Sequence, residues 1–231
     1  MLSISEILNI FKVLRQRRLR FFFDYFIESL VFDLKRGTNT SFRVTKDRQE
    51  LQIKSETFVD GILYVASFSS VLDKALKFIF LLLGHDNFAN YQFIDLGSGK
   101  GKSLIYFYDF YNRFSRFKTI GIDYDKSLCD ISNKNLKKVN ISEEKSIIIN
   151  DSAINFDNYI ESNNLIVYLY NPFQGKTFEA VIEKLVKFNH ILIYVDPVLK
   201  NKLIEKYNYQ ILLDRKGIYN ASNYIIASNK L

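Results

Sequence analysis

The sequence predicts an α/β fold: a Rossmann-like, mostly parallel sheet of seven strands that closes with a C-terminal antiparallel hairpin and carries a helical extension at its N-terminal end. Three observations predict it. From residue 91 onward, short apolar runs alternate with helical stretches, the pattern of a parallel sheet covered on both faces. The last two runs, Tyr209-Gln-Ile-Leu-Leu and Asn223-Tyr-Ile-Ile-Ala, are separated only by a short loop through Lys216-Gly217, too short for a helical crossover, so they pair antiparallel. The first run, Gln92-Phe-Ile-Asp95-Leu, ends at an acid and passes into alternating glycines that open a helix, as in turns that receive a nucleoside-bearing ligand.

In chain order, residues 3 to about 35 read as one or two helices, with Ile7, Ile10, Phe11 and Leu14, then Phe22, Phe26, Leu30 and Leu34 at helical spacing, and Gly37 stops the pattern. Residues 41 to about 60 are polar and weakly patterned, with Val44 and Leu51-Gln-Ile53 as short strands. A helix resumes near Phe68, presents Val71, Leu72, Ala75, Leu76, Ile79 and Phe80, and ends at Gly84. Strands are expected at 92–96, 118–123, 146–150, 165–170, 190–196, 209–214 and 222–228.

Composition bounds the function. A chain of 231 residues, 48% hydrophobic and 25% charged, suits one α/β domain with a small appendage. The start, Met-Leu-Ser-Ile-Ser-Glu, lacks a basic leader, and no apolar run approaches a membrane span, the longest being Phe78 to Leu83. A lone cysteine, Cys129, suits a reducing cytoplasm and reads as a core residue, since neither His85 nor His190 bears any evident relation to it. The net charge of +7 permits an acidic partner without requiring one. Its only dense cluster, Arg15-Gln-Arg17-Arg18-Leu-Arg20 followed by Phe21-Phe22-Phe23, reads as the solvated face of a helix, with a membrane surface or a nucleic-acid backbone as the rival reading.

Spacing separates three readings of the glycine loop. A dinucleotide fingerprint needs a third glycine where Lys102 stands. A phosphate-binding P-loop is completed by Gly101-Lys102-Ser103 but needs its opening glycine where Leu96 stands. The pattern D-x-G-x-G-x-G matches throughout, with Asp95, Gly97, Gly99 and Gly101. In these residues the chain resembles the class I S-adenosylmethionine-dependent methyltransferases.

Ligands of an open parallel sheet lie beyond the carboxyl ends of its strands, so the residues just after each apolar run carry the chemistry. The second strand ends at Asp123, placed to accept both hydroxyls of a ribose, while Asp125 suits the capping of the next helix. After the third strand comes Asn150-Asp151-Ser152, where the resemblance implies that Asp151 accepts a hydrogen bond from the adenine amino group. The resemblance assigns the cofactor to Asp95, Gly97, Ser98, Gly99, Gly101, Asp123, Tyr124, Asp151, Ser152 and Asn171.

The only prolines, Pro172 and Pro197, each follow an Asn or Asp at the end of a central strand, where they end the ladder. Asn171-Pro172-Phe173 is similar to the fourth motif of amino-group methyltransferases, [DNS]-P-P-[YF], but Phe173 stands in place of the second proline and Gln174 in place of the aromatic. A strand-terminating turn is the plain alternative. A wider likeness covers Lys35-Arg-Gly37-Thr-Asn-Thr40, Gly61-Ile-Leu-Tyr64, Gly121-Ile-Asp123, Tyr170-Asn-Pro-Phe173 and Tyr194-Val-Asp196-Pro197-Val198, and resembles small bacterial class I methyltransferases.

The resemblance implies a cytoplasmic enzyme that moves a methyl group from S-adenosylmethionine to a nitrogen or oxygen of a small molecule or protein. Residues 85–231 would bind the cofactor, and residues 1–84 would form a helical, substrate-selecting cap from which Tyr64 reaches over the site. Asn171, Tyr170, Phe173 and Asp196 would face the acceptor, with Tyr194 and Asp196 as proton acceptors. No metal site is expected. A nucleic-acid methyltransferase is the less favoured alternative because no recognition domain or basic stripe accompanies the motif, and a non-catalytic cofactor-binding protein is the third reading.

Overall fold

A computed structural model of the chain describes residues 19–41 and 66–230, with side chains in the first stretch from Ile27 onward. The arginine cluster's side chains, the short strands proposed around Val44 and Leu51, and Tyr64 lie outside the described residues.

Seven strands form one sheet: β1 (Gln92–Leu96), β2 (Thr119–Asp123), β3 (Ser146–Asn150), β4 (Asn164–Tyr170), β5 (Asn189–Val195), β6 (Gln210–Arg215) and β7 (Tyr224–Ser228). Their spatial order is β3-β2-β1-β4-β5-β7-β6. The first five are parallel, and β7 runs antiparallel to both β5 and β6, so the expected hairpin forms with its second strand on the inside. All seven strands fall within two residues of their expected positions.

The helices are α1 (Leu19–Arg36), α2 (Ser69–Phe88), α3 (Lys102–Tyr111), α4 (Lys126–Lys138), α5 (Gly175–Leu185) and α6 (Lys200–Tyr207). Alternation along the strands sends side chains to two apolar layers. One layer joins Phe93, Ile166, Tyr168, Ile191 and Ile193 to the inner faces of α2 and α3. Phe107 of α3 stacks on Phe93 with ring centroids 4.6 Å apart. The opposite layer joins Ile94, Leu96, Ile122, Val167, Leu169 and Leu192 to Phe178, Val181 and Ile182 of α5 and Leu203 of α6. Among the described residues, no helix is long and apolar enough to cross a membrane.

The expected stops are visible as backbone geometry. Gly37 follows α1 at φ +68°, and Gly84, at φ +70° and ψ 167°, breaks α2 before a last short turn to Phe88. The apolar stripe of α2 (Val71, Leu72, Ala75, Leu76, Ile79) belongs to the same layer as the strands, so this helix is a wall of the sheet. Arg36 of α1 makes two hydrogen bonds to Asp109 of α3, at 2.8 and 2.6 Å, and Glu28 accepts the amide of Ser70 at the start of α2.

His190, fully buried at the start of β5, lies 3.1 Å from the Phe188 carbonyl through Nδ1 and 2.6 Å from the Tyr209 hydroxyl through Nε2. The neutral ring fits this pair, with Nδ1–H donating and Nε2 accepting. Burial pushes its pKa down from 6.5 to about 4. The unfolded chain therefore binds a proton that the folded chain does not, and stability present above pH 6.5 is lost as the pH falls toward 4. Denaturant titrations should show this loss, up to roughly 3 kcal/mol, in the wild type. His190→Gln should show a flatter slope over the same window, and parallel slopes would assign the acid sensitivity elsewhere.

Candidate functional site

In the order β3-β2-β1-β4-β5 the chain reverses direction across the sheet between β1 and β4, and the crevice outside such a reversal is where open α/β sheets receive ligands. The outlets of these two strands touch here. A side-chain carbon on Gly97 would run into Pro172, far inside van der Waals contact. Gly97, Gly99 and Gly101 have φ of +88°, +53° and +80°, conformations that residues with a side chain rarely adopt. A side chain on Gly101 would strike Ser132 of α4, and one on Gly121 of β2 would strike Ser98 and Leu104. Gly121 thus leaves the room into which the loop folds.

Asp123 organises this loop. Its Oδ2 accepts the Gly99 amide at 2.8 Å and its Oδ1 accepts the Asp125 amide at 2.9 Å, while the Ile122 carbonyl accepts the amides of Gly97 and Ser98. Two of the roughly four lone-pair positions of the carboxylate are thereby used. Asp125 caps α4 as expected, accepting the amides of Ser127 and Leu128 at 2.8 and 3.3 Å. Burial, then the neighbouring Asp125 charge, raises the Asp123 pKa to about 6 against the pull of the two amides.

Asp95 sits at the mouth of β1, 3% exposed, between Gly121 and Tyr168. Its Oδ2 accepts a short hydrogen bond from the Ser103 hydroxyl, and its Oδ1 has no partner. Burial, reinforced by Asp123, raises its pKa to about 7 although the Ser103 bond opposes this. Ser103 is thus the second support of the site. The P-loop reading fails physically as well as by spacing, because Ser103 turns to Asp95 and Lys102 turns away from the crevice. The Lys102 ammonium donates to the Glu28 carbonyl at 3.4 Å and lies 5.0 Å from the Phe32 ring centre.

Asn171 and Asp196 end the adjacent strands β4 and β5, each in left-handed backbone (φ +37° and +49°) and each before a proline. The Asn171 Nδ2 donates to Asp196 Oδ2 across 3.5 Å, and Asn171 Oδ1 is buried without a partner. Sparsely populated backbone of this kind persists where surrounding structure holds it, and it clusters at sites of function.

The remaining expected residues divide. Ser98 is buried in the loop with its hydroxyl unpartnered, Tyr124 is half-buried beyond β2, and Tyr170 packs half-buried against the α2–α3 layer. Asp151 already has three protein donors: it accepts Tyr159 Oη at 2.6 Å, Asn155 Nδ2 at 3.0 Å and the Ser152 amide at 2.7 Å, which leaves about one acceptor position. Burial raises its pKa, but these bonds outweigh that and hold it below the usual range. Ser152 caps the short 3-10 turn 153–158 through the Ile154 amide. The Phe173 ring is buried in the α5–α6 layer, and Tyr194 is buried in that layer too. Burial, then Asp196, pushes the Tyr194 phenol well above its normal pKa, so it stays protonated.

Sequence reasoning missed Asn135. This α4 residue is 1% exposed, and its Nδ2 donates to the carbonyls of Lys100 (3.0 Å) and Asn39 (3.2 Å) while its Oδ1 accepts the Asn39 amide (2.9 Å). The available signal was the spacing of Cys129, Ser132 and Asn135, which puts three small or polar groups on one buried stripe of an amphipathic helix.

No protein-family model and no curated protein sequence matches this chain. Solved structures do match. A candidate rRNA methylase from Clostridium thermocellum superposes with a TM-score of 0.50 and 15% identity over 72% of this chain and 97% of its own. A candidate methyltransferase, yhhF, from Escherichia coli gives 0.50 and 14% over 69% and 84%. A mutant of MtNAS in complex with S-adenosylmethionine gives 0.51 and 12% over 69% and 61%. The fold is therefore the seven-stranded, Rossmann-like sheet of the class I methyltransferases.

The raised pKa of Asp95 fixes a sign. The unfolded carboxyl ionises near 3.8 and the folded one near 7, so the stability it contributes is complete below pH 3.8 and is lost as the pH rises through 7. Asp95→Asn keeps an acceptor for Ser103 and cannot ionise. In the ligand-free protein its stability should gain on the wild type between about pH 4 and 7, by at most about 1.4 kcal/mol per pH unit, and level off above that. Unfolding curves that stay parallel across this range would show that Asp95 ionises normally.

Proposed function

We propose that this protein is an S-adenosylmethionine-dependent methyltransferase acting on a nitrogen acceptor of a small molecule or protein. The observation that carries the reading is at the touching outlets of β1 and β4, which hold three left-handed glycines and two buried carbonyl-type oxygens, Asp95 Oδ1 and Asn171 Oδ1, that have no donor of their own. Buried acceptors without partners are unfavourable by about 1–3 kcal/mol each, so they suit a ligand that brings N–H or O–H groups.

The cofactor fits this donor and acceptor set. The Asp95 carboxylate, opposite the open glycine backbone, would take the ammonium of its methionine portion. Asp123 keeps lone pairs for the ribose hydroxyls, and the half-buried Tyr124 lies beside them on the adenosine side. Asp151 supports the β3 outlet through Tyr159, Asn155 and Ser152, and its remaining capacity serves the adenine amino group. When bound, S-adenosylmethionine supplies an electrophilic methyl on a sulfonium, so no protein nucleophile is required.

The chain's own task is then positioning and proton handling. Asn171 Oδ1 accepts from the acceptor's N–H and so turns a nitrogen lone pair toward the crevice. The half-exposed Asp196, tied to the Asn171 amide, takes the proton that an amine must lose and passes it to solvent. Because the Phe173 ring is in the core, the Asn-Pro-Phe segment offers acceptors without a stacking face. That favours a flexible amine over a planar base.

One feature supports the nucleic-acid alternative. A groove of about 460 Å³ beside the site is lined by Asn39, Ile131, Lys134, Asn135, Lys137 and Lys138, and three lysines there suit a phosphate backbone.

Isothermal calorimetry should show S-adenosylmethionine binding that falls at least tenfold in Asp123→Ala. Binding that is unchanged in this variant would remove Asp123 from the site. Asn171→Ala should lower kcat by about 10²-fold toward an amine acceptor while leaving cofactor affinity within about twofold, as expected for a group that meets only the acceptor. A separate column experiment decides the alternative: salt-dependent retention on RNA, lost in a Lys134→Ala, Lys137→Ala, Lys138→Ala triple variant, would favour it, and flow-through at low salt would eliminate it.

A further inference from the structure

The segment after α1 is tied into the glycine loop by a small closed network. Asp33, 4% exposed, accepts the Thr38 hydroxyl at 2.6 Å, the Thr40 hydroxyl at 2.9 Å, the Thr40 amide at 2.9 and 3.0 Å, and the Ser41 amide at 2.9 Å. Ser41 also donates to the Ser29 carbonyl at 2.8 Å. These bonds wind residues 37–41 into a rigid strap around one carboxylate, a charge-assisted arrangement stronger than neutral hydrogen bonds.

The strap meets the loop through Asn39. Its backbone exchanges two hydrogen bonds with the Asn135 side chain, in the manner of a paired strand, and its Oδ1 accepts from Lys100 Nζ at 3.3 Å. The other Asn135 hydrogen goes to the Lys100 carbonyl, between Gly99 and Gly101. Asp123 holds the Gly99 amide on one side of this carbonyl, and Ser132, one turn before Asn135, lies against Gly101 on the other. Three consecutive positions of the loop are therefore fixed from β2 and α4, and Asn135 joins the middle one to the strap, beside the direct bond from the Lys100 ammonium to Asn39.

We infer that Asn135 is a positioning residue that couples the strap 37–41 to the cofactor loop, so that cofactor binding and strap docking strengthen each other. The inference rests on the methyltransferase reading above. Its physical basis is reciprocity: if the docked strap holds the loop in its binding geometry, the ligand must favour the docked strap by the same factor. Glycines make the loop unusually free when unheld, so a contact that restricts it before binding removes part of the ordering penalty.

The test uses the full chain, with S-adenosylmethionine as the probe. Hydrogen exchange at the amides of Asn39, Thr40 and Ser41 should slow several-fold on addition of cofactor to the wild type. Asn135→Ala should bind the cofactor about tenfold more weakly, a typical coupling magnitude, and its strap amides should no longer respond to saturating cofactor. Thr40→Val removes one strap bond to Asp33 without touching the loop, and should still weaken cofactor binding several-fold. A residue with a purely structural role would lower the melting temperature but leave the cofactor-dependent protection in place. Wild-type strap amides indifferent to bound cofactor, or undiminished affinity in Asn135→Ala or Thr40→Val, would overturn the coupling while leaving the methyltransferase reading intact. Absence of cofactor binding by the wild type would instead overturn the reading on which it rests.

Discussion

The site depends on how closely the chain leaving β1 can approach the chain leaving β4. That approach is limited by one atom, the side-chain carbon that Gly97 lacks and that Pro172 would otherwise meet. With the two outlets in contact, the ends of β1 and β4, with Asp95 on one and Asn171 after the other, lie at the same edge of the sheet. It also explains why polar groups can stay buried there. Asp95 is held by Ser103 and Asn171 by Asp196, so each spends one of its two polar atoms on the protein and keeps the other.

Around this point the protein uses charge sparingly and mostly away from the crevice. The two lysines within the glycine loop are both buried and both have pKa values lowered to about 8, chiefly by desolvation. Lys102 is absorbed by α1, through the Glu28 carbonyl and the Phe32 ring, and Lys100 by Asn39. A loop with the basic endings of a phosphate-binding loop thereby has both ammonium groups tied to neighbouring segments. The exposed ion pairs, such as Lys77–Asp73 and Lys126–Asp130, lie on single helix faces and contribute little.

The sheet was legible because each strand is an apolar run bounded by turn residues, and because two prolines and a short final loop left few topologies open. Asp95, the glycines and Asp123 were legible because their spacing along a strand-turn-helix unit is local. Phe173 was harder. Its ring joins Leu165, Val167 and Leu169 in the α5–α6 layer although the left-handed Asn171 ends the alternation of β4 before it. A motif read along the chain does not show that turn. Asn135 shows only as a polar member of a buried helical stripe, and its partners Asn39 and Lys100, 96 and 35 positions away, could not be read, while Asp33 binds, among the described residues, only residues within 8 positions of itself. Residue type offered no clue, since Asn and Asp serve turns and caps far more often than bridges.

The position of β7 has a consequence for how the chain is made. β6 is synthesised first, yet its only neighbour in the sheet among the described residues is β7, which lies between it and β5. While residues 224–228 remain in the ribosome, the five parallel strands can assemble, but β5 keeps an open edge and β6 has nothing to pair with. An apolar edge of that kind is the surface on which nascent chains associate wrongly. The short turn from Lys216 to Asn223 limits how long this exposure lasts, since only a few more residues must emerge before β7 can enter between its two neighbours and close both edges in one step.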